Sequence, residues 1–161
     1  MFFAGLFGAY FTLRSVDNPW PPPGVELAVG RTAVATLFLI ASSGTVHLAH
    51  RAALSGDRAR AVRWLGATVA LGLVFLANQA LEYAQAPFSI SSHAYGSIFY
   101  LLTGFHGLHV IGGLVAMVYV GAVIGGRSRA PAGTPVTVLA YYWHFVDVVW
   151  IALYATVYLL K

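Results

Sequence analysis

The sequence has few of the residues on which soluble folds and redox sites depend. It contains no cysteine, which excludes disulfides and thiolate metal or redox sites. Only 9% of its 161 residues are charged, a single one is lysine, and no polar stretch could form a soluble domain. By contrast, 59% of the residues are hydrophobic and the mean hydropathy is +0.76. Most of the surface must therefore face lipid or other apolar helices, and we predict an integral membrane protein.

The apolar residues fall into five runs without the alternation of a membrane β-strand. About 20 apolar residues cross a bilayer core as a helix, and the last four runs are long enough. The first begins at Met1 without a charged segment ahead of it, so we expect that helix to start upstream. The prediction is an all-α, polytopic transmembrane helix bundle of about five helices, the first one partial, in a single domain over residues 1–161. The runs are 1–13, 32–50, 64–86, 95–124 and 136–160.

Arginine placement predicts the orientation of the bundle. Two connections carry most of the positive charge, the loops 51–63 and 125–135, and by the positive-inside rule both are predicted to be cytoplasmic. The net charge of +4 then reflects topology and contact with anionic headgroups, and we expect no nucleic acid partner. The arginines concerned are Arg51, Arg58, Arg60, Arg63, Arg127 and Arg129.

Five polar residues at membrane depth are candidates for a functional site: Glu82, His106, His109, His144 and Asp147. An ionised Asp at a helix centre costs about 2.5–3.5 kcal/mol on insertion scales, so Asp147 must face the bundle and find a partner. Imidazoles and carboxylates can bind iron, copper or zinc. The histidines are too few for a membrane di-metal site, however, and we predict no metal. We predict instead a buried hydrogen-bond network that joins the last two helices to the third, with a proton-relay or lipid-headgroup role as the alternative.

Three stretches resemble subunit III of the haem-copper cytochrome c oxidases. They are "FFAGLFGAYF" at 2–11, "NQALEYAQAPFSISSHAYGSIFYLLTGFHGLHVIGG" at 78–113 and "AYYWHFVDVVWIALYATVY" at 140–158. The two longer motifs are specific, because their order and spacing would not arise by chance, and together the three span nearly the whole chain.

The resemblance implies an accessory subunit of an aa3-type oxidase, the terminal proton-pumping oxidase of aerobic respiration. In that family, haem a and copper belong to subunits I and II, while subunit III carries no redox centre. It packs on subunit I, binds phospholipid, and supports proton uptake and durable turnover. Cytochrome c is then a partner only through the complex. The five polar residues match family positions as an intramembrane network, not as catalytic residues, and Arg63 and Trp64 are expected to contact lipid headgroups.

One departure concerns the beginning of the chain, since the family has a Ser-Glu pair just upstream of "FFAGLFGAYF". We expect that pair, and one or two preceding helices, to be missing from this sequence. A five-helix form suggests a bacterial plasma membrane. The alternatives are a quinol oxidase or nitric oxide reductase subunit of the same fold and, from a different class, a stand-alone membrane enzyme with a histidine-bound metal.

Overall fold

The protein is described by a computed structural model covering residues 2–126 and 131–160. The described residues contain no strand, and the predicted all-helical membrane bundle is confirmed. Within these described residues, four helical stretches are long and apolar enough to cross a membrane, the last of them Gly133–Leu159. The chain is therefore a multi-pass membrane protein. The helices are α1 (Phe2–Val16), α2 (Val29–Leu54), α3 (Arg58–Gln85), α4 (Ala94–Gly125) and α5 (Gly133–Tyr154), followed by a π-helical segment, Ala155–Leu159.

The connection between α2 and α3 is much shorter than the predicted loop 51–63, and that prediction is wrong in extent. Only residues 55–57 lie between the helices. Alanine, leucine and arginine are strong helix formers, so both helices continue past the ends of their apolar runs. The turn itself depends on Gly56, whose φ of +81° favours glycine, and on Asp57, whose carboxylate caps α3 by accepting the backbone N–H of Arg60 at 2.9 Å.

The arginines of this region consequently extend from helix ends and are not carried by a flexible loop. Arg51 lies in the last turn of α2, while Arg60 and Arg63 lie near the start of α3. The predicted loop 125–135 is bounded by the end of α4 and the start of α5. Its arginines, Arg127 and Arg129, lie outside the described residues.

The central contact of the bundle is formed by Trp143 of α5, which is fully buried. The indole fits between two glycines, Gly72 of α3 and Gly113 of α4. A Cβ atom added to Gly72 would come within 3.1 Å of the Trp143 ring, and one added to Gly113 within 2.9 Å. These glycines let three helices approach one another closely, as small residues do in membrane proteins.

The shorter helix α1 is held against the bundle by aromatic residues. Phe3 and Tyr10 are its buried side chains, and the Tyr10 hydroxyl donates to the carbonyl of Thr156 at 2.8 Å. The Tyr95 hydroxyl of α4 donates to the next carbonyl, that of Val157, at 3.1 Å. Both acceptors lie in the π-helical segment, where backbone hydrogen bonds join residues five apart and not four apart as in an α-helix. Tyrosines from α1 and α4 thereby fix the end of the last helix.

Candidate functional site

Glu82 is buried near the end of α3, and all its observed partners belong to the start of α2 or the residue before it. Its carboxylate accepts hydrogen bonds from the Thr32 hydroxyl at 2.9 Å and the Ala28 backbone N–H at 3.1 Å. The guanidinium of Arg31 lies 3.4 Å from the carboxylate and balances its negative charge. The Arg31 side chain is 35% exposed, whereas that of Glu82 is 4% exposed. Glu82 therefore fastens α3 to α2 and does not bond to any of the predicted histidines.

Asp147 forms a second polar group, between α5 and α2. It is 4% exposed and accepts a short hydrogen bond from the Ser43 hydroxyl. The Ser43 Oγ also lies 2.9 Å from Nδ1 of His144. Asp147 and His144 are thus brought together through a serine of α2.

His106 is buried among rings and lacks a polar partner. Its side chain is 1% exposed, and neither ring nitrogen has a hydrogen bond within the part of the chain that the structure describes. The ring lies 4.9 Å from that of Trp150 and 6.0 Å from that of Phe75, measured between centroids. Phe3 of α1 completes the surroundings at 6.4 Å. His106 acts here as one member of an aromatic cluster.

His109 lies one turn further along α4 and is only half-buried. Its Nδ1 is 2.7 Å from the carbonyl oxygen of Phe105, one turn earlier in the same helix. The ring centroid lies 5.1 Å from that of Phe3, so the histidine faces α1. The His109 backbone carbonyl, in turn, accepts the hydroxyl of Tyr142 from α5 at 3.0 Å.

The five predicted residues therefore do not form the single network that the sequence analysis proposed. Hydrogen bonds among the described residues instead divide them into a Glu82 group, an Asp147–His144 group and two histidines of α4. The physical reason is a polar stripe on α2, whose hydroxyl groups lie closer to Glu82 and Asp147 than the predicted histidine partners of Glu82 do. The stripe is defined here as Thr32, Thr36, Ser42 and Ser43. Thr36 accepts the indole N–H of Trp150 at 2.9 Å, and Ser42 that of Trp143 at 2.8 Å.

The polar stripe does not stand out in the sequence, because serine and threonine are common in apolar helices and carry no charge. A signal was nevertheless present. Thr32 and Ser43 are eleven residues apart, which is about three helical turns and places both on one face of α2. Hydroxyl groups repeated on one face of a membrane helix indicate hydrogen bonding across helices.

The described residues do not offer a metal centre. Among residues 2–126 and 131–160, no group of three or more His, Asp or Glu side chains is placed to hold an ion. His144 and Asp147 share a serine, and the two histidines of α4 face different surroundings.

Arg63 and Trp64 line a cavity of about 660 Å³ at the turn between α2 and α3. The cavity lies at the opposite end of α3 from Glu82. Arg51 and Arg60 line it as well.

Comparison with known proteins places this arrangement in a family. The model of the family described as "Cytochrome c oxidase subunit III" matches residues 1–161. The chain belongs to the cytochrome c oxidase subunit III family. The resemblance inferred from the motifs is thereby confirmed over the whole chain.

Relatives from several bacteria support the assignment. The chain is 47% identical over 166 residues to the "Probable cytochrome c oxidase subunit 3" of Mycobacterium tuberculosis, covering 100% of this chain and 82% of the relative. It is 42% identical over 168 residues to the "Cytochrome c oxidase subunit 3" of Corynebacterium diphtheriae, with the same two coverages. A Synechocystis protein of that name is 42% identical over 165 residues, 98% of this chain and 69% of the relative.

Membership of the subunit III family makes the chain a membrane subunit of an oxidase complex. The polar groups are consistent with the role of a membrane subunit, because most of their hydrogen bonds join helices of the chain itself. The long motifs include three residues of different chemistry, Glu82, Trp143 and Asp147. Each of them joins one helix to another.

Proposed function

We propose that the chain is the accessory subunit III of an aa3-type cytochrome c oxidase, the terminal proton-pumping oxidase of aerobic respiration. Haem a and copper then belong to partner subunits I and II, and cytochrome c meets this chain only through the complex. The observation that carries the proposal is the family match over all 161 residues. All three relatives are named as subunits of cytochrome c oxidase, which favours this enzyme over a quinol oxidase or a nitric oxide reductase.

The contribution of this chain is to hold a defined surface against subunit I and so to support proton uptake and durable turnover. This is supported by the way its intramembrane polar groups are used. Glu82 and Asp147 are both buried and both bonded to α2, which gives them a role in fixing helices and not in catalysis. His106, His109 and His144 each contact a residue of another helix, namely Trp150, Phe3 and Ser43.

The orientation and the lipid contacts are part of the same proposal. The arginines near the α2–α3 turn favour a location of that turn on the cytoplasmic side of a bacterial plasma membrane, by the positive-inside rule. The connection 125–135 then lies on the same side, because two membrane-spanning helices separate the two connections. Arg63 and Trp64, which line the cavity at this turn, are then expected to contact phospholipid headgroups.

Substitution of Asp147 tests the accessory role. Asp147→Leu removes the acceptor of the Ser43 hydroxyl, and we expect the purified oxidase to keep part of its initial activity but to inactivate faster during turnover. Asp147→Asn keeps a carbonyl acceptor and should restore most of the durability. Val148→Leu, at a neighbouring position that is 65% exposed, is the matched control. Immediate and total loss of activity in an assembled Asp147→Leu complex would contradict the proposal.

A further inference from the structure

The connection between α3 and α4, residues 86–93, folds back against the first turn of α4. The Ser97 hydroxyl of that turn donates to the carbonyl of Ile90 at 2.6 Å. The fit is close, because a Cβ atom added to Gly96 would lie 2.6 Å from the carbonyl oxygen of Ser89. The backbone of the connection therefore lies directly on the start of α4.

One of the bonds that fix the start of α4 is made by a histidine. His93 is the N-cap residue of this helix, and its Nδ1 accepts the backbone N–H of Gly96 at 2.8 Å. An imidazole nitrogen can accept a hydrogen bond only while it carries no proton, so the cap requires an unprotonated Nδ1. Histidine differs in this respect from the usual caps, serine, threonine, aspartate and asparagine, whose oxygens still accept at mildly acidic pH.

Protonation of His93 breaks the cap and adds an unfavourable charge. Nδ1 becomes a donor that faces another donor, the N–H of Gly96. The positive charge also lies at the N-terminus of α4, where the helix dipole is itself positive. The ring cannot turn aside without losing contacts, because its centroid lies 5.4 Å from that of the buried Phe88 and 6.2 Å from that of Tyr95.

The titratable and charged groups around His93 do not stabilise a proton on it. Tyr95 of α4 is the titratable side chain whose ring contacts it. Near the end of α3, Arg31 and Glu82 form an ion pair with each other, and Glu26 lines a cavity at the other end of the connection. Within the described residues, no carboxylate lies within ion-pair distance of His93.

We propose that His93 is a pH-sensitive cap, which holds residues 88–93 against α4 while it is neutral and releases them when it is protonated. Because only the neutral imidazole closes the cap, the released state binds the proton more readily, and release increases as the pH falls. Histidine suits this role, since it is the side chain whose charge ordinarily changes between pH 5 and 8.

The inference rests on the proposed function for its setting, and it deepens that function by adding a response to pH. If the α2–α3 turn is cytoplasmic, the connection 86–93 lies on the outer side, because one membrane-spanning helix, α3, separates the two. A proton-pumping oxidase acidifies the outer side during turnover. The cap is then exposed to the pH that the complex itself generates.

The test is hydrogen–deuterium exchange of the purified oxidase complex in nanodiscs, measured by mass spectrometry on peptides covering residues 88–100 at pH 7.5 and pH 5.5. Each exchange rate is divided by the intrinsic rate at that pH, which leaves the local opening of the backbone. Loss of a cap together with an added charge at a helix N-terminus corresponds to about tenfold in an equilibrium constant. Since protonation is only partly complete at pH 5.5, we expect opening to increase by about fivefold.

Four variants separate the cap from other causes of opening. His93→Asn keeps an acceptor that does not titrate, so its opening should be the same at both pH values, whereas His93→Ala lacks the cap and should open more already at pH 7.5. Ser97→Ala removes a different bond of the connection and should open more at both pH values while keeping the fivefold response. His47→Asn removes a histidine of α2 and is the matched control, with an unchanged response. An equal pH response in His93→Asn and in the unsubstituted chain would overturn the inference, and so would an opening that does not change with pH.

Failure of this inference is distinguishable from failure of the proposed function. Haem a retained by the same preparations reports assembly with the partner subunits, whatever the exchange rates. If haem is retained while opening does not depend on pH, the inference about His93 alone is wrong. If haem does not accompany the chain, the proposed function is wrong.

Discussion

Substitution of Gly113 on α4 by alanine tests the packing of the bundle at its tightest point. The added Cβ would lie 2.9 Å from Cε3 and Cζ3 of Trp143 and 3.1 Å from Cε1 of Tyr142. The indole cannot easily move away, because Trp143 is fully buried and its N–H is bonded to Ser42 at 2.8 Å. Either α4 and α5 must separate or the indole must give up that hydrogen bond.

The size of the effect follows from comparison with a second glycine of the same helix. Overpacking a filled core costs about 1–3 kcal/mol. Glycine to alanine also favours a helix by about 1 kcal/mol, which partly hides that cost. Gly121→Ala gains the same helix preference, but no atom lies within 4 Å of its added Cβ. We therefore expect Gly113→Ala to be less stable than Gly121→Ala by about 1–3 kcal/mol in the free energy of unfolding.

The measurement is unfolding of the purified chain in mixed micelles with increasing sodium dodecyl sulfate, followed by the fluorescence of its four tryptophans. Working on the isolated chain removes any contact that Gly121 makes with a partner subunit. Equal stability of the two variants would refute the assignment of Gly113 and Trp143 to a close-packed contact.

Three further predictions use the same unfolding measurement. Ser43→Ala removes the donor to Asp147 and should lower the free energy of unfolding by about 1–3 kcal/mol, whereas Ser43→Thr keeps the hydroxyl and should lower it less. Glu82→Gln should cost about 2 kcal/mol, while the exposed Glu26→Gln should change stability by no more than about 0.5 kcal/mol. Equal effects at the two glutamates would contradict the anchoring of α3 to α2. Trp150→Phe removes the indole N–H donated to α2 and should cost about 1 kcal/mol, and an unchanged stability would argue against that bond.

Most of the fold could be predicted from the sequence because a membrane restricts the possible structures. Apolar runs of about 20 residues can only be helices, so the number and order of the spans followed from hydropathy. The ends of the helices could not be predicted in this way. An apolar run ends at the first arginine, whereas a helix can continue past it. Arg58 and Arg63 both lie in α3, which begins only after Gly56 and the Asp57 cap.

The candidate site was less predictable, and the reason lies in α2. Charged and titratable residues stand out in an apolar sequence, so Glu82 and Asp147 were found from the sequence alone. Their partners, Thr32 and Ser43, did not stand out, because a hydroxyl in a membrane helix often bonds to its own backbone. Which helix supplies the partner depends on the three-dimensional order of the helices, and hydropathy does not contain that order.

The histidines of α4 show a second limit. His106 and His109 are three residues apart, and spacing alone suggested a shared role. The rotation of α4 in the bundle buries the first among Phe75 and Trp150 and turns the second towards α1. Two residues three positions apart lie on the same side of a helix but do not point in the same direction. Their side chains can therefore have different neighbours.

The most direct test of the central claim is affinity purification of the tagged chain from its own membranes in mild detergent. The proposed function predicts that haem-a-containing and copper-containing subunits accompany the chain in a one-to-one ratio. It also predicts that the chain, once separated from them, holds no stoichiometric iron or copper. Recovery of the chain without a haem-containing partner, or with its own stoichiometric metal, would contradict it.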